Sequence, residues 1–288
     1  MAERLSDIVT KIQNVQQLRA VFTAMRGIAA SRSQTGRSLL AGIEAYTAIV
    51  SQAIGVALNL LGTDVSAAAG PGRSKRGLIL FCAEQGFAGS FSEHVFEAAG
   101  ADAKEATNLV IGTRGAAVAR ERGIRPDWWI PMTTRVEGIA VFASRLVDVL
   151  YGHIARGTIA TADILFSRST SSGIIIDRHS LLPIDFGRFA RPTIREQAPL
   201  ITLAPSLLLE RLVAEYVYAQ LCQAAMHAFV AENEARMIAM VAAKNNTEIK
   251  LAALLRRERQ LRQEEITTEI VELAAGAEAL RDAVPWNA

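Results

Sequence analysis

Proline is absent from long stretches at both ends of this chain, and glycine is nearly absent from the second of them. No proline and only one glycine, Gly276, lie between Ser206 and Val284, and the first 61 residues also lack proline. These two residue types most often interrupt helices. A helix through residues 206–284 would be roughly 120 Å long, much longer than a compact domain is wide. The sequence therefore predicts long terminal helices at 1–62 and 206–284, with a separate central domain at 73–204.

Apolar residues recur at a spacing of three and four along the first terminal segment, and a long apolar series also runs along the second. In the first segment they are Leu5, Ile8, Ile12, Val15, Leu18, Phe22, Met25 and Ala29. In the second they include Leu208, Leu212, Leu221, Phe229, Met240, Leu251, Leu254, Leu261, Ile266, Ile270 and Leu273. This spacing draws a narrow apolar stripe along a helix, as in a coiled coil. Because a single domain cannot bury so long a helix, we expect its apolar stripe to contact the first helix, other chains, or both. We expect the two terminal helices to pair with each other as an antiparallel coiled coil.

The central segment alternates short apolar runs with helical stretches. The predicted strands are Leu78–Ala83, Leu109–Gly112, Asp163–Ser167 and Gly173–Asp177, and helices are expected near 90–100, 114–122 and 136–156. Strands separated by helices indicate a Rossmann-like α/β domain with a mostly parallel sheet. Gly62 and the run Gly70–Pro71–Gly72 predict a linker before this domain.

Composition excludes several classes of protein. The chain has 288 residues, of which 50% are hydrophobic and 21% charged, so a packed core is expected. The net charge of +2 provides no overall attraction to nucleic acid. No clean apolar run of 18 residues and no signal-peptide core are visible, so we expect neither a membrane-spanning helix nor secretion. Cys82 and Cys222 lie far apart, which fits a reducing cytosolic compartment.

The sequence offers weak candidates for chemistry. The loop Glu84–Ser90 follows a strand and precedes a helix, which is where backbone N–H groups can bind phosphate. It lacks the third glycine of a dinucleotide motif and the Gly-Lys-Ser/Thr of a P-loop, so we interpret it as a turn. The four histidines fall in separate segments without metal-ligand spacing, and Ser169–Gly173 is better explained as a turn between strands. We expect no catalytic site, no metal and no cofactor.

A basic cluster in the second terminal segment raises the question of nucleic acid. It consists of Arg256, Arg257, Arg259 and Arg262. Glu258, Glu264 and Glu265 are interleaved with it, and no aromatic residues accompany it. A solvated or protein-facing helix surface explains this pattern better than a nucleic-acid site does.

The second terminal segment contains a series of motifs at fixed spacing without a gap: Glu234–Met240, Arg262–Gln263, Ile266–Thr267, Glu269–Ile270, Glu272–Leu273 and Gly276–Ala277. In residue type and spacing this series resembles the gamma subunit of F-type ATP synthases. The first segment agrees through Ile8, Lys11–Ile12, Val15–Gln16, Ala24–Met25 and Ala29–Ser31, and the centre agrees weakly through Gln85–Ser90 and Ile111–Gly115. Glu258–Arg259 and Lys244–Asn246 depart from the family pattern, so the chain resembles a divergent member.

The resemblance implies a rotary role. In this family the terminal helices lie inside a hexamer of alternating alpha and beta subunits. The α/β domain contacts the epsilon subunit and the membrane ring of c subunits. The chain would then be a peripheral protein on the cytoplasmic face of the inner membrane. It would couple proton or sodium flow to ATP chemistry in the beta subunits by rotation. It would have no catalytic site and would bind neither nucleotide nor nucleic acid itself.

The resemblance also implies partner contacts at matching positions. Met25 and Arg236 match positions near the lever of the beta subunit, and Arg262, Gln263 and Thr267 match positions that contact loops of the surrounding ring. Two other classes of function remain open from the residues alone. One is a non-rotary coiled-coil adaptor with an α/β head, and the other is an α/β enzyme that uses the Gly86 loop.

Overall fold

A computed structural model describes residues 4–62, 75–190 and 200–282, with side chains described as far as residue 277. The described residues form six α-helices, five β-strands and two short 3-10 helices. The helices are α1 Leu5–Leu61, α2 Phe91–Ala99, α3 Asp102–Glu105, α4 Thr113–Glu121, α5 Ile139–Ala155 and α6 Pro205–Asp282, with 3-10 turns at Val136–Gly138 and Phe186–Arg188. The strands are β1 Arg76–Phe81, β2 Thr107–Ile111, β3 Trp128–Ile130, β4 Thr161–Thr170 and β5 Gly173–Leu182.

Both terminal segments are continuous helices. Helix α1 has 57 residues and α6 has 78, which confirms the prediction made from the missing prolines. Helix α1 ends at Leu61, and Gly62 follows with a φ of +62°. Glycine adopts this left-handed conformation without strain and is the usual residue at that place. The predicted Gly70–Pro71–Gly72 linker lies outside the described residues.

The chain divides into two compact units. The terminal unit contains residues 1–27 and 240–288, and the central unit contains residues 28–239. In the terminal unit Ile8, Ile12 and Val15 of α1 form a buried apolar cluster with Leu251 of α6. The predicted apolar stripes therefore meet each other in this unit, and burial of these side chains supplies its hydrophobic stabilisation.

In the central unit α1 and α6 run antiparallel. The Ser33 hydroxyl donates to Glu234 at 3.0 Å, and the Tyr46 hydroxyl donates to Glu215. The later residue of α1 thus pairs with the earlier residue of α6, so the two helices run in opposite directions. Val50, Ile54 and Leu58 extend the contact in a buried cluster with Leu209. The prediction that the terminal helices pair antiparallel is confirmed here.

The central unit contains a five-stranded sheet in the order β3-β2-β1-β4-β5. The pairs β1–β2, β1–β4 and β2–β3 are parallel, and β4–β5 is an antiparallel hairpin. The mostly parallel α/β sheet predicted from the alternating pattern is therefore confirmed. The turn predicted within Ser169–Gly173 joins the two strands of the hairpin. Strand β3 has no counterpart among the predicted strands.

Apolar side chains cover both faces of the sheet. Ile79 and Phe81 of β1 lie in the cluster that includes α5 and α6. Leu78 and Leu80 lie in the opposite cluster with α2 and α4. Because side chains alternate across a strand, one short apolar run supplies both cores.

Two described helical stretches, Leu5–Leu61 and Val136–Ala155, are long and apolar enough to cross a membrane by length and composition. In this structure α5 buries Phe142, Leu146 and Leu150 in the core beneath the sheet. The absence of a membrane span stays a prediction, as do the segment boundaries 1–62, 73–204 and 206–284.

Candidate functional site

The loop between β1 and α2 is held by a carboxylate of the same chain. The backbone N–H groups of Glu84 and Gln85 donate to the two carboxylate oxygens of Glu232, each at 3.1 Å. A phosphate bound by this loop would need those N–H groups. Since Glu232 already accepts from them, the geometry favours a strand-to-helix turn over a phosphate site.

Arg236 binds the same loop from α6. Its Nε donates to the carbonyl oxygen of Gly86 at 3.1 Å, and its Nη2 donates to that of Gln85 at 3.1 Å. Nη2 also pairs with Glu232 at 2.5 Å, one helical turn away. Arg236 is only 5% exposed, so nearly all of its polar contacts lie within this chain. An arginine buried this deeply requires such pairing.

Glu234 connects three elements. It accepts hydrogen bonds from Ser33 at 3.0 Å and from Arg37 Nε at 2.7 Å, both on α1. It also accepts from Ser169 of β4. We call Glu232, Glu234 and Arg236, with these partners, the polar cluster. It joins α1, α6, the β1–α2 loop and the end of β4.

Of the two acidic members of the polar cluster, the sequence pattern marked only Glu234, as part of the run Glu234–Met240, and it assigned neither carboxylate a role. A usable signal was present, because Glu232, Glu234 and Arg236 stand together in a helix stretch that is otherwise apolar on either side. Charged residues in such a position must find partners when the helix is buried. The identity of those partners could not be read from α6 alone.

A second carboxylate occupies the carboxyl edge of the parallel strands. Glu84 accepts from the backbone N–H of Thr113 at 2.9 Å and from its hydroxyl at 2.8 Å, at the start of α4. It also accepts from the backbone N–H of Met132 at 2.8 Å. Open α/β sheets usually bind ligands at this edge. Here the chain's own Glu84 and Glu232 take up donors that a nucleotide phosphate would use.

Among the described residues, no group of three or more His, Cys, Asp or Glu side chains could hold a metal ion. Burial raises the pKa of the Cys82 thiol, so this side chain is a poor nucleophile near neutral pH. Burial also lowers the pKa of His227, which stacks on Phe166 with ring centroids 5.7 Å apart. This arrangement suits a packed neutral imidazole.

The structure places the predicted contact residues in two different settings. Arg262, Gln263 and Thr267 lie within two turns of α6 in the terminal unit, and all three are exposed. Arg262 is paired with Glu258 at 2.7 Å and its side chain is 60% exposed. Met25, also in the terminal unit, is half-buried. Arg236 alone lies in the central unit and is buried there.

Near its end, α6 presents an apolar stripe that the other described residues leave exposed. Ile266, Ile270 and Leu273 recur at helical spacing and are 51%, 60% and 73% exposed. Val271 beside them is also exposed. A helix stripe of this kind usually marks a surface buried by a partner.

Two of the four arginines in the predicted basic cluster lie beside acidic side chains. Arg262 pairs with Glu258, and Arg257 lies 3.8 Å from Glu264. The Nε of Arg259 donates to the carbonyl oxygen of Leu255 at 3.2 Å. This mixed surface favours contact with protein over contact with a phosphate backbone.

Comparison with known proteins defines the family. The sequence model of the family described as ATP synthase matches residues 4–280. The ATP synthase gamma chain of Streptomyces griseus is 27% identical, with 98% of each chain covered. That of Salinibacter ruber is 25% identical and covers 96% of this chain and 98% of the relative. The chain therefore belongs to the ATP synthase family, and the resemblance to gamma subunits is confirmed.

Solved structures share the fold. A chain from the rotor of the Euglena gracilis mitochondrial ATP synthase superposes with a TM-score of 0.59 at 11% identity. The match covers 91% of this chain and 98% of that one. A chain from the central stalk and c-ring structure of the Tetrahymena thermophila enzyme has a TM-score of 0.53 at 15% identity. At these identities the likeness concerns the fold alone.

Proposed function

We propose that this chain is the central rotor subunit of an F-type ATP synthase. It couples proton or sodium flow through a membrane ring of c subunits to ATP synthesis or hydrolysis in the beta subunits. The observation that carries the proposal is a 78-residue helix with an uncovered apolar stripe near its end. A rotor needs such a surface to lie against a surrounding ring, and a self-contained enzyme does not.

The chain works without a catalytic site of its own. Carboxylates of the chain occupy the N–H groups at the edge of the sheet where a nucleotide would bind. ATP chemistry then takes place in the beta subunits, and this chain transmits rotation to them. It is a peripheral protein on the cytoplasmic face of the inner membrane, and it contacts the alpha, beta, epsilon and c subunits.

The exposed residues near the end of α6 make the contacts with the ring. Arg262 and Gln263 present polar groups beside the uncovered apolar stripe, and Thr267 follows one turn later. Charge-assisted hydrogen bonds from such groups favour one docking register over others. Met25 of α1, which is half-buried, adds a further contact with the partner subunits.

Arg236 serves the beta-subunit contact indirectly. Its guanidinium is buried, but it holds the loop that presents Phe87, whose side chain is 63% exposed. Phe87 adopts a φ of 63°, a backbone conformation that side-chain-bearing residues rarely take. Local strain of this kind persists where surrounding contacts impose it and often marks a functional surface.

Single-molecule rotation tests the proposal. The chain is co-expressed with alpha and beta subunits, and a bead is attached through Lys104→Cys on the exposed surface of the central unit. Cys82 and Cys222 are buried, so they do not compete for the label. We expect ATP-driven rotation of the bead in one direction. A complex that assembles and hydrolyses ATP while the bead stays fixed would favour the non-rotary adaptor.

A further inference from the structure

The central unit contains a groove whose lining includes none of the contact residues assigned above. It has a volume of 620 Å³ and lies between the start of α2, the β4–β5 hairpin and α6. Its lining is mostly apolar and includes Phe91, Ile174, Ile176, Ala235 and Ile238. Pockets that bind small molecules have this size and this apolar character, with few polar groups.

A buried polar group lacks a partner at this groove. The Ser167 hydroxyl lines the groove, Ser167 is 0% exposed, and its Oγ has no hydrogen-bond partner among the described residues. On β4, Phe166 lies in the core beneath the sheet. Because side chains alternate along a strand, Ser167 points to the opposite face, toward the groove. Buried hydroxyls are normally hydrogen-bonded, so an unpaired one indicates a missing partner.

The start of α2 provides donors at the same groove. Gly89, Ser90 and Phe91 form part of the lining. The Ser90 side chain does not cap the helix, since its hydroxyl lies 3.0 Å from Nε2 of His94. The first N–H groups of a helix lack partners within the helix and favour a negative charge.

We propose that this groove binds a small aliphatic carboxylate. Its carboxylate accepts hydrogen bonds from the Ser167 hydroxyl and from backbone N–H groups at the start of α2. Its alkyl tail packs on Ile174, Ile176 and Ile238. The proposed site rests only on the lining of the groove and not on the rotor function.

The charge of the lining selects this class of ligand. The residues that line the groove include no Asp, Glu, Lys or Arg. A cationic head group would find no carboxylate to pair with it. A phosphate dianion is usually held by Arg or Lys, which are missing from the lining. Glu93, the acidic residue of the first turn of α2, is not among the lining residues. A single negative charge met by hydroxyl and N–H donors fits best.

Photolabelling locates the ligand. An eight-carbon carboxylate with a diazirine on its tail is irradiated with the full chain and with the assembled complex, and labelled peptides are identified by mass spectrometry. We expect labels within residues 174–176 and 235–239. Octanoate should compete with the label, whereas octylamine and octanol should not. Equal competition by octanol would overturn recognition of the carboxylate. Absence of saturable labelling in both samples would overturn the site.

Calorimetry with octanoate on the full chain tests the assigned contacts. Ile238→Ser should weaken binding by about tenfold, because Ile238 supplies tail contact. Ile249→Ser is the matched control, since Ile249 is an isoleucine of α6 that is 70% exposed, against 61% for Ile238, and does not line the groove. Ser167→Ala should weaken binding by about three- to tenfold while the melting temperature does not fall, because only an unpaired hydroxyl is lost. Unchanged affinity in both groove variants would refute the proposal.

Discussion

Replacing Arg236 with alanine removes the centre of the polar cluster. The guanidinium donates to Glu232 and to the carbonyl oxygens of Gln85 and Gly86. Glu232 is 6% exposed in the unsubstituted chain, and the substitution removes the arginine that pairs with its charge. The two carbonyl groups lose a donor at the same time. Each of these effects destabilises the folded chain, because buried polar groups without partners are costly.

The expected loss is about 3–5 kcal/mol, the usual effect of removing one member of a buried ion pair. A matched control exists on the same helix. Glu258 and Arg262 have the same spacing and order as Glu232 and Arg236, but the Arg262 side chain is 60% exposed. Solvent screens such a pair, so Arg262→Ala should change stability by less than about 1 kcal/mol. The comparison isolates burial as the cause of the difference.

Hydrogen exchange on the full chain measures the effect locally. The amide hydrogens of Glu84 and Gln85 bond to Glu232, so their protection reports on the polar cluster. In Arg236→Ala we expect their protection to fall by about a hundredfold or more. Arg236→Lys should recover only part of this protection. The planar guanidinium of arginine bonds to two carbonyl groups and a carboxylate at once, whereas the single ammonium group of lysine cannot. Equal protection in wild type, Arg236→Ala and Arg262→Ala would refute the reasoning.

Three further expectations follow from particular residues. The double variant Arg262→Ala, Gln263→Ala should still assemble into a complex that binds nucleotide, but the complex should turn over more slowly. Loss of a charge-assisted contact costs about 1.5–3 kcal/mol at each rotational step. Wild-type rates of ATP synthesis and hydrolysis would contradict the contact role. Gly115→Ala should lower the melting temperature, because the added Cβ would lie 2.1 Å from the Cβ of Cys82. At Gly27 an added Cβ would meet no atom within 4 Å, so Gly27→Ala should raise the free energy of unfolding by about 0.5–1 kcal/mol. Cys82 and Cys222 should resist thiol reagents in the folded chain at neutral pH, since burial raises both pKa values, and should react after denaturation; rapid labelling of the native chain would show otherwise.

Local patterns predicted most of the secondary structure. The missing prolines indicated α1 and α6, and the short apolar runs indicated β1, β2, β4 and β5. These features depend on residues close together in the chain, so they can be read without the fold. Strand β3 was missed because it has three residues at the sheet edge, none of them fully buried. Its pairing with β2 is what makes Trp128–Ile130 a strand.

The contact residues were harder to read. The resemblance to gamma subunits identified Arg262, Gln263 and Thr267, which the structure leaves exposed. It also identified Arg236, which the structure buries in the polar cluster. A one-dimensional pattern marks a residue as important without distinguishing contact with a partner from support of a loop. The role of each residue as a partner contact stays a prediction.

The sequence by itself determined the long helices, the α/β character of the centre and the family, because helix propensity, apolar periodicity and motif spacing are local properties. Only the tertiary structure decided what the charged residues of α6 do. Glu232 accepts from the backbone of Glu84, 148 residues earlier, and Glu234 accepts from Ser33 on the other long helix. Such partners are brought together by packing of the sheet against the paired helices, and burial then makes their hydrogen bonds obligatory.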